Sequence, residues 1–368
     1  MLDKITRRSA LAGAGTILLA ASHLPRPAIA QSSLKGSGSL VVYDGGGAMG
    51  SAQLKAYSEP FEAETGIKVI HQPAVTAGVQ RAAALAGTPK FDVTVLSGGS
   101  IAAFEKDGLL TPIDYGYWAA EDRNAYDLVP AKPYYVPAML YSMIIGYSAA
   151  ASTTPAKSWA DLWDLKKFPG KRTLAAGTNA ADGATYEIAL LADGVPADKL
   201  YPLDWDRALR SLDRLRGDIV KWWANGAESV QLQVDRQAVL GSAWNGRIDA
   251  ANEQGAKIGK EWNQGILQWA AWAIPKGSQN LDNAQKYIAY MSRPEPQAKF
   301  SELITYGPTN ARAFKFLTPE RTALMPTAPS VKSLQLVQNY DFWNQVDAAG
   351  ETALRRAIVE WERFISKR

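Results

Sequence analysis

Two glycine-rich turns carry polar groups well placed to meet a small ligand, Asp44-Gly45-Gly46-Gly47 and Ser97-Gly98-Gly99-Ser100. Each follows a short apolar segment, Leu40-Val41-Val42-Tyr43 in one case and Phe91 to Leu96 in the other. Each is therefore expected at the carboxyl end of a strand, where backbone N–H groups, a carboxylate or a hydroxyl can bind a ligand. The plainer alternative is that both are only tight turns. The chain is also rich in tryptophan, with 12 residues, of which Trp222, Trp223, Trp244 and Trp262 gather in its second half. Flat apolar walls with a few polar anchors suit a pocket for a small organic molecule. A tryptophan face can also hold an ammonium group, worth roughly 0.5 to 2 kcal/mol. Trp222 and Trp223 are adjacent and so cannot share a face, which points one of them into the core.

The same inventory closes off several kinds of catalysis. There is no cysteine, and the histidines are His23 and His71. Because His23 falls in an export leader, His71 is left alone, and neither a thiolate nucleophile nor a multi-histidine metal site can be built. No Gly-x-Ser-x-Gly elbow and no phosphate loop ending in Gly-Lys-Ser/Thr is present, and Gly45-Gly46-Gly47 has no lysine behind it. His71 is expected on the surface or at a strand edge. Carboxylates are plentiful, so an exported enzyme working with Asp and Glu is an open alternative without a supporting motif. No catalytic residue, metal or cofactor is expected.

Residues 1–30 read as an export signal. Lys4, Arg7 and Arg8 precede an apolar run from Leu11 to Ala21, and Ala28-Ile29-Ala30 is a small-x-small cleavage site. The paired arginines and a glycine-containing, weakly hydrophobic core favour the twin-arginine route. The run is short of the ~20 residues that a spanning helix needs. A soluble, periplasmic protein starting near Gln31 is expected. The formal charge is +4; losing four basic residues and one acidic residue with the leader leaves about +1. So little charge offers no stripe for nucleic acid or a membrane surface. Without disulfides, stability must come from apolar cores, which the remaining length can supply in two domains.

The elements that would position the turns follow from periodicity. After a Ser/Gly linker at 31–38, Leu40 to Tyr43 is a strand, Gln53 to Thr65 a helix, Ile67 to Ile70 a strand, Val79 to Ala86 a helix and Phe91 to Leu96 a strand. Strands alternating with helices imply an α/β fold with a mostly parallel sheet flanked by helices. Met143 to Tyr147 is extended and leads into an Ala/Ser/Thr/Pro stretch at 149–156, which suits a hinge. Helices are expected over Trp159 to Leu165, Tyr186 to Leu191, Trp205 to Leu215, Asp282 to Met291, Gln297 to Leu303 and much of Leu334 to Ile365. Ala238 to Trp244 reads as a buried strand ending in an Asn245-Gly246 turn, and Trp269 to Ile274 as an extended return crossing.

Five short motifs then arrive in order within about seventy residues. They are Trp244-Asn245-Gly246, Trp272 to Gly277, Asn283-Ala284 with Tyr287 to Met291, Arg293 to Ala298, and Tyr306 to Asn310. With the leader, Tyr43 to Gly47, Phe91 to Ser97 and Gly108-Leu109-Leu110, they resemble the periplasmic solute-binding proteins of ABC importers, in the branch of the spermidine/putrescine-binding proteins. The resemblance covers nearly all of the mature chain. It implies a two-lobed periplasmic binding protein of type II with a mixed, mostly parallel sheet in each lobe, non-enzymatic and monomeric, that closes on a solute and delivers it to an ABC permease in the inner membrane. The lobes would comprise 39–144 plus 272–312 and 145–271 plus 313–368.

Carried over residue by residue, the resemblance makes Trp244 and Tyr306 aromatic walls and Ser97 a polar contact. It places Asp44-Gly45 where the family has an aromatic and acidic pair. Two acids that neutralise polyamine ammonium groups are absent, their positions being Arg247 and Ala270. A guanidinium repels a diamine but suits a carboxylate. The expected ligand is therefore an amino-carboxylate such as a γ-aminobutyrate-like compound. Arg247 would grip its carboxylate, its amine would lie against Trp244 and Tyr306 or Trp223, and Asp44 or Ser97 would take the amine's hydrogen bonds. A true polyamine binder, and a solute sensor that reports to a receptor, are the alternatives.

Overall fold

The computed structural model describes residues 33–149 and 154–367. The expected leader and most of the hinge stretch near Ala149 lie outside the described residues or at their edge. Among the described residues the strands are β1 (Ser39–Asp44), β2 (Lys68–Pro73), β3 (Thr94–Ser97), β4 (Tyr135–Ser148), β5 (Arg172–Ala175), β6 (Ile219–Trp223), β7 (Leu240–Trp244), β8 (Ile258–Ala273) and β9 (Leu336–Val337). β1 and β2 form a parallel pair, and the others form one sheet in the order β3-β8-β4-β7-β5-β6, with β9 beside β8.

The sheet is mixed, as expected, and its antiparallel pairs all involve the two longest strands. β4 runs antiparallel to both β7 and β8, and β3 antiparallel to β8, while β5 is parallel to β6 and β7. The cause is the length of β4 and β8, 14 and 16 residues. Such strands are two to three times the usual length and serve two cores at once. Val136, Ala138 and Met139 of β4, with Ala270 and Trp272 of β8, pack among Phe61, Tyr287 and Phe300. Met143 and Ile145, with Ile266, pack among Trp159, Tyr186, Leu212 and Trp343. The body therefore holds two large apolar cores strung on one shared strand pair.

Local corrections have local causes. The helix expected from Gln53 already begins at Gly47, continues through a π-helical turn at Leu54–Ser58, and resumes as Glu59–Thr65. Gly98-Gly99 is not a loop but the buried start of the helix Gly98–Lys106. A methyl group on Gly98 would overlap the ring of Tyr340, so glycine is required there by packing. Asn245-Gly246 likewise opens the helix Asn245–Glu253 instead of turning. Asn245 is fully buried, accepting from Ser142 N–H at 2.9 Å and donating to the Thr305 carbonyl at 2.7 Å. The tail is broken into β9, a helix at Tyr340–Asn344 and a helix at Ala353–Ser366, with Gly350 at φ 83 between the helices.

Candidate ligand-binding site

Strand ends bring the polar groups together. Asp44 ends β1, Ser97 ends β3 and Trp244 ends β7, and these with Gly45, Arg247 and Tyr306 line one cavity of about 210 Å³. At roughly 30 Å³ per water that is room for about seven waters, the scale of a short amino acid. The remaining wall is mostly apolar, with Met49, Val95, Met139, Tyr141 and Ala270, and one further acid, Asp182. Six of the seven expected residues thus meet at one place.

Trp223 does not join them. It is fully buried in the second core, its indole N–H donates to the Ser242 carbonyl at 3.1 Å, and its ring meets Trp244 edge-on with centroids 5.4 Å apart. It backs the wall and does not form it. Trp222 points away and packs on Trp361 at 4.9 Å, as alternation along a strand requires.

The aromatic wall is set from behind. Trp244 donates through its indole N–H to Gln268 at 2.8 Å, and Gln268 donates in turn to the Asp182 carbonyl at 2.8 Å and to Gln338 at 2.7 Å. Tyr141 lies edge-on to Trp244 at 6.2 Å and tilted to Tyr306 at 5.7 Å. Gly246 lets Tyr306 approach the helix start, because a Cβ there would fall 2.5 Å from the Tyr306 ring. Gly246→Ala is expected to push that ring across the pocket and weaken ligand binding about tenfold, by roughly the 1 to 3 kcal/mol that overpacking costs. Titration of the ligand into the variant measures this, and unchanged affinity would show that the Tyr306 ring is not a contact.

Charges are few and unequal. Arg247 sits beside the Tyr306 hydroxyl, which burial pushes up and the guanidinium pulls back down. The Arg247 Nε is enclosed with no hydrogen-bond partner. Its nearby acids are engaged elsewhere, Asp249 with Lys260 at 2.6 Å and with the Thr305 hydroxyl, and Glu253 with Arg321 at 3.7 Å. Asp44 accepts from Gly46 N–H at 2.7 Å through Oδ1 and meets His71 Nδ1 at 2.9 Å through Oδ2. Asp182 is displayed by the short helix Ala180–Gly183, which ends at Ala184 with φ 51, a left-handed conformation unusual for alanine. Burial pushes the Asp182 carboxyl above the usual range, with the Ser97 hydroxyl pulling it down.

His71, expected on the surface or at a strand edge, lies partly buried on β2, the outer strand of the β1–β2 pair, and is held in a chain of hydrogen bonds. Its Nε2 is 2.6 Å from Ser58 Oγ, and Ser58 Oγ is 2.7 Å from the Tyr287 hydroxyl. Asp44, His71 and Ser58 thus stand in the order of a hydrolytic triad. Ser58 is completely buried inside a helix, so its oxygen cannot reach a substrate, and the chain of bonds serves to orient Asp44.

A larger groove of about 660 Å³ runs along the helices Trp205–Leu215 and Ala353–Ser366. Part of its charge pairs on open surface, Arg216 with Asp213 at 2.9 Å and Arg363 with Glu360 at 3.0 Å, and acids and bases alternate along it without converging on one point. No helix among the described residues is long and apolar enough to cross a membrane.

Sequence reasoning missed Asp182 and Tyr141. Asp182 follows β5, whose four residues Arg-Thr-Leu-Ala have no alternation to mark a strand. The Thr178-Asn179 to Asp182-Gly183 turn was the available signal.

A mixed sheet shared by two cores, with a small aromatic pocket at the strand ends, is the architecture of an ABC-transporter substrate-binding component. The family model for bacterial extracellular solute-binding proteins matches residues 56–327, and the chain belongs to that family. A gamma-aminobutyric acid-binding protein of Pseudomonas aeruginosa is 33% identical over 318 residues, 83% of this chain and 87% of its own. A spermidine/putrescine-binding periplasmic protein of Escherichia coli K12 is 27% identical over 79% of this chain and 83% of its own. A solved structure of a GABA receptor superposes with TM-score 0.79 at 34% identity, covering 90% of this chain and 98% of that one. The chain is thus the substrate-binding component of an ABC transporter. Such proteins bind small solutes and pass them to a permease, and these relatives are solute-binding proteins, not enzymes.

Proposed function

We propose that this protein captures a short amino-carboxylate, 4-aminobutyrate or a close analogue, in the pocket between its two cores, and delivers it to an inner-membrane permease from the periplasm. The observation that carries the reading is Arg247: a guanidinium in a mostly apolar pocket, Nε enclosed and unpartnered, with its neighbouring acids committed to other groups. A ligand carboxylate supplies the missing acceptor in a forked, charge-assisted geometry. The methylene chain would lie on Trp244, Tyr306 and Met139, where apolar burial favours it. The relatives that bind γ-aminobutyrate support the same choice. A polyamine offers no carboxylate to Arg247 and finds Ala270 where the polyamine pattern has an acid.

The two cores would act as lobes, with β4 and β8 as the crossing pair about which they rotate, and the ligand would stabilise closure by touching both. Met143 packs in the second core and Ala270 and Trp272 in the first, which supports lobe limits a residue or two earlier on each crossing strand than 144/145 and 271/272. In this reading the protein acts as a monomer and does not alter its ligand, and the triad-like arrangement of Asp44, His71 and Ser58 is sealed from it.

A thermal-shift screen tests the ligand class. At a hundred times its dissociation constant a true ligand adds about 2.7 kcal/mol of stability. 4-Aminobutyrate is expected to raise the melting temperature, while putrescine and spermidine leave it unmoved. A response to diamines alone would overturn the reading.

A further inference from the structure

Two carboxylates face the pocket, and they differ in what they have left to offer. Both oxygens of Asp44 are engaged, one by Gly46 N–H and the other by His71. The Asp182 Oδ1 is enclosed and has no partner, and Ser97, whose hydroxyl donates to Ser100 Oγ at 3.2 Å, lines the same cavity. The hydroxyls of Tyr141 and Tyr340 close around the Asp182 carboxylate; burial first, and the nearby Asp182 charge among further causes, push both well above the usual range. Ala270, at the position where the polyamine pattern has an acid, contributes only a methyl group to the wall.

A carboxylate oxygen enclosed without a partner is unfavourable, and a chain that keeps one facing a pocket leaves it to be matched from outside. An ammonium group brings the opposite charge and three donors to acceptors that have none. We propose that Asp182 is the ammonium-binding residue of this site and sets its preference for a charged amine over a neutral end group. The inference rests on the amino-carboxylate reading, in which Arg247 takes the other end of the ligand. It moves the amine's anchor from β1, which carries Asp44, to the turn after β5. An ammonium seated between Asp182 and Ser97 contacts residues of both halves of the body, so the amine contributes to closure as well as to affinity.

Calorimetric titration of wild type and Asp182→Asn with 4-aminobutyrate and with 4-hydroxybutyrate tests this, the second ligand keeping the carboxylate and length while removing the charge. Wild type is expected to prefer the amine by about a hundredfold or more. Asp182→Asn is expected to lose about that factor for 4-aminobutyrate, to bind 4-hydroxybutyrate within about threefold of wild type, and to melt at or above the wild-type temperature without ligand, since an unpaired buried charge is gone. Should the asparagine variant fail to fold, Asp182→Ser carries the same titrations. A variant that keeps the wild-type preference for the amine overturns the assignment of Asp182 alone. A wild type that binds neither acid overturns the amino-carboxylate reading and this inference with it.

Discussion

Arg247→Ala is expected to reduce affinity for 4-aminobutyrate by about a hundredfold or more while leaving the melting temperature of the unliganded protein nearly unchanged. The two halves of that expectation have one origin. In the empty site Arg247 has no ion-pair partner among the described residues and one enclosed, unsatisfied nitrogen, so removing it breaks little that holds the fold. In the bound state it would face a carboxylate inside a pocket with mostly apolar walls, where truncating one side of a hydrogen-bonded charge pair costs about 2 to 5 kcal/mol. Arg247→Lys keeps the charge but not the fork, and should fall between the two. Titration calorimetry with parallel melting curves decides the matter. Undiminished affinity in the alanine variant would remove the carboxylate anchor, and a large fall in unliganded stability would make Arg247 a structural residue instead.

Trp223→Ala should act on the opposite quantity. Trp223 is fully buried in the second core and supports the ring of Trp244 from behind. Truncating a buried tryptophan costs about 3 to 5 kcal/mol through lost transfer energy and the cavity it leaves, a large part of the total stability of an ordinary protein. Denaturant unfolding should show the free energy of unfolding falling by that amount, with the midpoint shifted down in proportion. Trp223→Phe, which keeps most of the volume, should recover much of the loss and retain ligand affinity within severalfold. If Trp223→Phe instead lost binding with unchanged stability, the indole would have to reach the ligand, and its place in the core would be misjudged.

Several features of the site were legible from residue types alone. The end of an apolar run followed by glycines marks a strand end in an α/β chain, and Asp44 and Ser97 stand at two such ends in the fold. Helices with a clear apolar period, such as Trp205–Leu215, emerged with their limits intact. Other elements lacked such a signal. The helix at Asn245–Glu253 opens with a dipeptide that alone favours a turn, and it is held as a helix start by Ser142 and Thr305, distant in the chain. The tail was read as one long helical stretch because its apolar spacing is nearly continuous, yet Leu336 and Val337 are drawn onto β8. Which pairs of the mixed sheet run antiparallel was not legible either, since direction is set by which strand pairs with which, and no local pattern records that.

The sequence by itself determined the family to which this chain belongs. It carries ordered motifs of a solute-binding family, and these depend only on which residues are present and in what order. Tertiary structure decided which of those residues share a cavity. Trp223 and Trp244 are both apolar aromatics at strand ends, and Asp44 and Asp182 are both acids after strands. Only packing separates the ring in the core from the ring on the wall, and the satisfied carboxylate from the one left without a partner. The physical reason is that burial and hydrogen-bond satisfaction are properties of the neighbours a side chain meets, and here those neighbours come from segments far apart in the sequence.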